Sequence, residues 1–258
     1  MLYLAIVLSL GMGGVVGLLG GGGSILTIPI LVYVLGMDPK AAIATSLLVV
    51  NVTSLIGVSM HARAGAVRWR VGLVFGAVSM VGAYAAGRVA KFVPDWALLL
   101  LFASLLAVTA ILMLRKNPSP VHAQSDSGAP SAMMVAGQGL GVGALTGLVG
   151  AGGGFLIVPS LVFLTRLSMH NAVATSLLVI VLNTSAAFAG YASHAPVNYA
   201  IAALVAACAA GGAVLGAFWA HRIAQNTLRR AFAWFVLVMS GFLFYRQIPE
   251  EWIQAMVG

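Results

Sequence analysis

Charged side chains are scarce in this chain of 258 residues, at 7% against 61% for hydrophobic residues. A typical soluble domain carries charge on about a quarter of its residues. The mean hydropathy of +1.06 points the same way. The composition therefore excludes an ordinary soluble protein and predicts a protein embedded in a lipid bilayer.

Acidic side chains are the scarcest charged groups, with five Asp and Glu residues in the whole chain. None of them falls inside a predicted membrane segment, where proton pumps and proton-coupled transporters usually carry carboxylates. The sequence also has no GxxxxGK[ST] loop for binding ATP phosphates. A carboxylate proton relay and direct use of ATP are therefore not predicted, so any transport would be secondary or passive.

Cysteine occurs once, as Cys208, which excludes a disulfide within the chain and a cysteine metal cluster. His61 and His194 lack the spacing of a metal site, and we interpret them as interfacial residues. Together with the absence of an acid and base pair, this predicts no cofactor, no metal and no enzymatic activity. The net charge of +8 is dispersed over short loops without an aromatic platform, so no nucleic-acid partner is predicted.

What the chain does have is an internal repeat with a constant offset of 130 residues. The glycine cluster at 20–23 returns at 150–154, and Ala44-Thr45-Ser46-Leu47-Leu48-Val49 returns as Ala174-Thr175-Ser176-Leu177-Leu178-Val179. Repeats of this length in an apolar chain, with interrupted helices at matching places, are typical of secondary transporters. Transport is therefore the leading functional hypothesis.

Each repeat contains about five hydrophobic segments, the second of them short. We predict repeat 1 at 1–116, a flexible cytoplasmic linker rich in Pro, Ser and Gly at 117–131, and repeat 2 at 132–258. The segments are 2–19, 24–36, 39–62, 71–90 and 96–114, then 133–149, 154–165, 170–191, 199–221 and 228–246.

The distribution of Lys and Arg predicts the orientation of the chain in the membrane. Placing the loop with Arg63, Arg68 and Arg70 in the cytoplasm puts nine basic residues on that side and four on the other. The loop at 193–200, which is the repeat partner of the loop at 63–70, then faces outward. The repeats are therefore predicted to be inverted, with both termini periplasmic.

The glycine clusters predict breaks in the helices at membrane depth. Glycine costs about 1 kcal/mol relative to alanine inside a helix, and a broken backbone is tolerated there only beside protein or a water-filled cavity. The short helices that follow would begin near Ser24 and Gly154, with N-termini suited to an anion. The alternative is tight helix packing, to which we assign most of the earlier glycines, namely Gly11, Gly13, Gly17, Gly141, Gly143 and Gly147.

Polar side chains in the third segment of each repeat complete the predicted binding site. The hydroxyl pairs Thr45-Ser46 and Thr175-Ser176 are suited to oxyanion oxygens, although Ser and Thr also bond carbonyls of their own helix. Asn51 and Asn183 are not repeat equivalents and would either make the site asymmetric or tie helices together. The predicted substrate-binding residues are Gly20, Gly21, Gly22, Gly23, Ser24, Thr45, Ser46, Asn51, Gly150, Gly152, Gly153, Gly154, Thr175, Ser176 and Asn183.

The twice-repeated glycine cluster followed by Pro-x-Leu, each copy leading to Ala-Thr-Ser-Leu-Leu, resembles the TauE/SafE family of sulfite exporters. Residues Gly17, Gly20, Gly22, Gly23, Pro29 and Leu31 carry the resemblance with their partners Gly147, Gly150, Gly152, Gly153, Pro159 and Leu161, as does the stretch 61–67. The resemblance implies a bacterial inner-membrane transporter whose substrate is a small sulfur oxyanion or an organosulfonate.

The sequence thus predicts an all-α polytopic membrane protein of two inverted-topology repeats, whose glycine-broken helices meet near the bilayer midplane. Its predicted function is secondary transport by alternating access, and the resemblance implies a small sulfur-containing anion as substrate and export as the direction. Two alternatives remain open: a passive anion channel of the same fold, and a membrane-embedded sulfur-transfer enzyme. The sequence leaves the direction of transport, the natural substrate, the coupling ion and the oligomeric state undetermined.

Overall fold

The computed structural model describes residues 2–19, 23–115, 132–149, 153–164, 167–191, 195–220 and 223–247. These residues form ten α-helices and no β-strand, which confirms the all-α prediction. The helices are α1 (Leu2–Leu19), α2 (Gly23–Pro29), α3 (Pro39–Arg63), α4 (Trp69–Val89), α5 (Asp95–Arg115), α6 (Ala132–Val149), α7 (Gly154–Leu164), α8 (Met169–Tyr191), α9 (Tyr199–Ala220) and α10 (Gln225–Gln247). The predicted linker lies outside the described residues.

Among the described residues, five helices are long and apolar enough to cross a bilayer: α3, α4, α5, α8 and α9. Large apolar side chains such as Val81, Leu215 and Phe92 are exposed on the outside of the bundle. Trp69 and Trp96, which begin or nearly begin their helices, are exposed as well, as is usual for aromatic residues at a membrane interface. The chain is a multi-pass membrane protein.

The helix limits agree with the predicted segments to within three residues. Segment 24–36 divides into α2 and a π-helical turn, Ile30–Val34, which follows Pro29. Proline has no N–H group for the normal helical ladder, which accounts for a change of helix type at this point.

Helices of the two repeats pack against each other reciprocally. Helix α1 packs on α9 while α6, the equivalent of α1, packs on α4, the equivalent of α9. A β-carbon added to Gly13 would lie 1.8 Å from the carbonyl oxygen of Ala209, and one added to Gly143 would lie 2.0 Å from that of Ser79. These two contacts are related by the offset of 130, so the halves are joined by a pseudo-twofold arrangement.

The equivalent helices α3 and α8 cross at the centre of this arrangement and run antiparallel. Asn51 lies against Thr184, and a β-carbon added to Gly57 would lie 3.1 Å from Leu177. From the first of these contacts to the second, the residue number rises by six in α3 and falls by seven in α8. Two equivalent helices that run in opposite directions are what inverted repeats require.

The two ends of the bundle differ in charge, and we name them after residues found there. The Asp38 end holds the start of α3 and the start of α5, joined by an ion pair of 3.3 Å between Lys40 and Asp95. The Arg68 end holds the end of α3 and the start of α4, where Arg63, Arg68 and Arg70 are exposed. The orientation prediction places the Arg68 end in the cytoplasm.

Candidate functional site

Both predicted helix breaks coincide with boundaries between helices. Helix α1 ends at Leu19 and α2 begins at Gly23, which places Ser24 in the first turn of α2. Helix α6 ends at Val149 and α7 begins at Gly154. The predicted site residues Gly20, Gly21, Gly22, Gly150 and Gly152 lie outside the described residues.

Gly153 opens α7 in a conformation that only glycine adopts readily. Its φ is +75°, and its carbonyl oxygen accepts hydrogen bonds from the N–H groups of Leu156 and Ile157 at 2.9 and 2.8 Å. A β-carbon here would lie 2.2 Å from Cγ2 of Thr146. The turn into α7 therefore depends on glycine for its backbone conformation and for space.

We expect Gly153→Ala to abolish the transport predicted from the sequence while the protein still inserts into the membrane, because the added methyl group displaces the start of α7. The measurement is anion flux in proteoliposomes, with Gly141→Ala as the control. A β-carbon on Gly141 meets nothing within 4 Å. Equal flux in Gly153→Ala and the parent protein would show that the start of α7 has no part in transport.

The length of α7 places its N-terminus well inside the bundle. Its last described residue, Leu164, comes shortly before Met169, which begins α8, and Ile157 and Leu161 pack in one cluster with Leu177 and Ile180 of α8. Eleven residues of α7 correspond to about 16 Å of helix, which brings Gly154 near the depth of residue 180. The start of α7, where the N–H groups of Gly154 and Phe155 have no acceptor within their own helix, thus lies near mid-depth.

The serines of the repeated hydroxyl pairs bond to their own helices. The Ser46 hydroxyl donates to the carbonyl of Ile43 at 2.7 Å, and the Ser176 hydroxyl donates to that of Val173 at 2.8 Å. Both side chains are fully buried. For these serines the structure shows the intrahelical alternative noted from the sequence.

The threonines of the same pairs differ from each other. The Thr175 hydroxyl accepts a hydrogen bond of 3.0 Å from the backbone N–H of Arg68, at the start of α4. The Thr45 hydroxyl is fully buried and has no hydrogen-bond partner among the described residues. Equivalent side chains therefore have different bonding at the two ends of the bundle.

The structure does not bring the two hydroxyl pairs together. The antiparallel register of α3 and α8 places Thr45 opposite about residue 190 of α8, roughly fifteen residues from Thr175, which is about 22 Å along the helix. Thr45 lies toward the Asp38 end and Thr175 toward the Arg68 end. One small anion therefore cannot contact both.

Asn51 ties the two central helices together at mid-depth. Its side-chain Nδ2 lies 3.0 Å from the carbonyl oxygen of Val181, 2.9 Å from Oγ1 of Thr184 and 2.8 Å from Oγ of Ser185. All three partners belong to α8. The amide nitrogen of Asn51 is therefore engaged by protein acceptors, as in the helix-tying alternative.

Asn183 lies at nearly the same depth but has an unused donor. Its Oδ1 accepts a hydrogen bond from the Ser79 hydroxyl of α4, while its Nδ2 is buried without a partner among the described residues. The Ser54 hydroxyl of α3 is likewise buried and unpartnered in this part of the chain. A buried polar group without a partner costs about 1 to 3 kcal/mol, so such groups call for an explanation, and a ligand is one.

Ser54 and Ser79 are not among the site residues predicted from the sequence. The sequence does contain a signal for Ser54, since the offset of 130 maps it onto Thr184 and a hydroxyl recurs there. Ser79 has none, because its equivalent is Ala209. Its position beside Asn183 follows only from the packing of α4 on α8.

His61 is not the interfacial residue that the sequence suggested. It is 2% exposed, and its Nε2 lies 3.4 Å from the carbonyl oxygen of Gly17 near the end of α1. Its repeat equivalent, Tyr191, donates a hydrogen bond to the carbonyl of Leu148 near the end of α6. The last turn of each central helix thus contacts the helix that precedes a glycine cluster. His194 lies outside the described residues.

A cavity of about 470 Å³ opens at the Asp38 end. It lies between the loop before α3 and the loop before α9, one from each repeat. Its lining comprises Gly36, Met37, Asp38, Ala41, Pro196, Val197, Asn198 and Tyr199. Asp38 is the charged residue of this lining.

The part of the chain that the structure describes contains no group of three His, Cys, Asp or Glu side chains that could hold a metal ion. Cys208 is a free, half-buried thiol in α9. The chemistry available near mid-depth is therefore that of amide, hydroxyl and backbone N–H donors.

Comparison with known proteins identifies the family. The family model described as "Sulfite exporter TauE/SafE" matches residues 5–243. A "Probable membrane transporter protein" of Xylella fastidiosa strain 9a5c is 35% identical over 252 residues, which is 94% of this chain and 96% of that protein. The "Probable membrane transporter protein YdhB" of Bacillus subtilis is 28% identical over 225 residues, 85% of this chain and 91% of its own length.

A "Probable membrane transporter protein" of Methanocaldococcus jannaschii is 31% identical over 190 residues, 69% of each chain. No solved structure matches the chain significantly. Since the family model covers nearly all of the described helices, this duplicated helical membrane protein belongs to the TauE/SafE family of membrane transporters.

Proposed function

We propose that this protein is a secondary exporter of a small sulfur-containing anion, such as sulfite or an organosulfonate, and that it works by alternating access between its two repeats. The anion binds near mid-depth, between the N-terminus of α7 and the central helices. Asn183 and Ser54 supply donors from side chains, and Gly154 and Phe155 at the start of α7 supply backbone N–H groups.

The observation that carries this proposal is the pair of buried, unpartnered polar groups on α3 and α8. The Asn183 Nδ2 group is a donor, and a hydroxyl such as that of Ser54 donates as readily as it accepts. Both are suited to an oxyanion. Neutral donors and helix dipoles hold an anion weakly enough for it to leave, as transport requires.

The charge difference between the ends supports export. If the Arg68 end is cytoplasmic, its exposed Arg63, Arg68 and Arg70 attract anions from the cytoplasm. Asp38 lines the cavity at the opposite end and disfavours entry of an anion from that side. The family description supplies the sulfite class of substrate.

The test is flux in liposomes that contain the purified protein. Labelled sulfite, thiosulfate and sulfoacetate are followed with and without imposed proton, sodium and electrical gradients. We expect saturable flux of at least one of these anions, and the gradient that drives it identifies the coupling. Electrical conductance far above the turnover of a carrier would instead indicate a channel, and absence of flux for all three anions would reject the proposed substrate class.

A further inference from the structure

Thr45 and Thr175 are repeat equivalents that face equivalent neighbours at opposite ends of the bundle. Thr175 accepts the N–H of Arg68 at the start of α4. The offset of 130 maps Arg68 onto Asn198, which precedes α9. The equivalent partner of Thr45 is therefore the backbone N–H of Asn198.

The surroundings of Thr45 agree with that assignment. Ala41, one turn before Thr45 on α3, lines the cavity together with Asn198. Val49, one turn after Thr45, packs in one cluster with Ala202 and Val205 of α9. Thr45 therefore lies on the face of α3 that is directed at the start of α9, beneath the cavity.

The two ends thus differ in one hydrogen bond, from a backbone N–H to a threonine hydroxyl, that the pseudo-twofold relation between the repeats predicts at both ends. At the Arg68 end the hydroxyl of α8 holds the start of α4 at 3.0 Å. At the Asp38 end the equivalent hydroxyl of α3 is buried without a partner among the described residues, and a cavity of about 470 Å³ separates the loops above it.

We infer that Thr45 and Thr175 act as latches in the transport cycle. Each hydroxyl accepts one hydrogen bond that holds one end of the bundle closed, and the two bonds form in alternate states. The structure is open at the Asp38 end, and the bond from Arg68 to Thr175 closes the Arg68 end. In the opposite state the bond from Asn198 to Thr45 forms, the cavity closes, and Thr175 releases Arg68. This inference rests on the proposed alternating access, and it assigns to each threonine a positioning role in one of the two closures.

A fixed difference in sequence between the repeats is the competing explanation. Gly72 of α4 allows close approach to α8, since its added β-carbon would lie 3.1 Å from Cγ2 of Thr175. Its equivalent in α9 is Ala202, whose methyl group would hold α9 away from α3 permanently. In that case the Thr45 hydroxyl never acquires a partner, and its removal has no effect on either end.

Cysteine labelling separates these explanations without any substrate. Two single-cysteine variants are made in a Cys208→Ser background, at positions that are repeat equivalents. Ala41→Cys places the cysteine in the cavity lining, and Asn171→Cys places it near the Arg68 end. The rate of reaction with a water-soluble maleimide is measured in detergent, where both ends are accessible. Thr45→Val and Thr175→Val each remove one hydroxyl, and Thr175→Ser retains it as the control.

We expect Thr175→Val to raise the labelling rate of Asn171→Cys about three- to tenfold, the effect of one hydrogen bond on a two-state equilibrium. Thr45→Val lowers that rate by a similar factor, because it destabilises the state that is open at the Arg68 end. The rate for Ala41→Cys changes in the opposite sense in each variant, and Thr175→Ser behaves like the parent.

An unchanged rate for Asn171→Cys in Thr45→Val, or a change in the same direction as in Thr175→Val, would overturn the latch assignment. Thr45→Val decides the matter even if Thr175→Val fails to fold, since it breaks no hydrogen bond seen in the described structure. Because labelling needs no anion, failure of the flux experiment would leave this result intact.

Discussion

Gly143→Ala is expected to lower the free energy of unfolding by about 3 kcal/mol, at the upper end of the usual cost of overpacking. The added β-carbon would lie 2.0 Å from the carbonyl oxygen of Ser79. No rotamer change relieves a contact with backbone, so α6 and α4 must separate along their crossing. We would measure loss of folded protein on heating in detergent, by size-exclusion chromatography.

Gly141→Ala is the matched control, two residues away in the same helix. Its β-carbon meets nothing within 4 Å, so it gains helix propensity without a clash and leaves stability unchanged or slightly raised. Gly13→Ala, at the equivalent crossing of α1 and α9, should behave like Gly143→Ala, since its β-carbon would lie 1.8 Å from the Ala209 oxygen. Equal thermal stability of Gly141→Ala and Gly143→Ala would contradict the close crossing.

Asn183→Leu is expected to reduce flux ten- to hundredfold, roughly the effect of losing one hydrogen bond to a charged group. Its stability should stay close to that of the parent protein. The Asn183 Nδ2 has no partner to lose in the described structure, and Ser79 keeps a hydrogen bond of 3.1 Å to the carbonyl of Gly76. The measurements are flux in proteoliposomes and thermal unfolding of the same preparation.

Asn51→Leu should have the opposite effects, a loss of stability with little change in flux. Its side-chain nitrogen lies within hydrogen-bond distance of three acceptors on α8. The substitution removes these bonds between α3 and α8 and lowers the free energy of unfolding by about 1 to 3 kcal/mol, at roughly 0.5 to 1.5 kcal/mol per bond. A variant at Asn183 that transports at the parent rate would remove Asn183 from the substrate site. Loss of stability in both variants would assign both residues to packing alone.

The helices were predictable because their ends are set locally. Glycine clusters, prolines and charged loops interrupt long apolar runs, so the limits of α3 and α8 follow from the sequence almost to the residue. The constant offset predicted a repeat, and the distribution of Lys and Arg predicted that the repeats are inverted. The antiparallel crossing of α3 and α8 is consistent with that inversion.

The candidate site was less predictable because it depends on the register between helices. The sequence grouped Thr45 with Thr175 because they recur in one motif, but inversion is what separates them. The same inversion places Asn183 near Asn51, although they are not equivalents. The different bonding of these two asparagines depends on Ser79, Thr184 and Ser185, and the position of Ser79 follows only from how α4 packs on α8.

The reciprocal crossings impose an order on how the chain is made. Helix α1 packs closely on α9, which is synthesised nearly two hundred residues later. Until α9 is inserted, the glycine-lined groove around Gly13 faces lipid or a temporary occupant. The face of α4 that packs on α6 is uncovered in the same way until α6 is inserted. Since each half leaves such a helix face uncovered, we expect a ribosome-bound intermediate that stops before α9 to remain accessible to membrane chaperones and quality-control proteases.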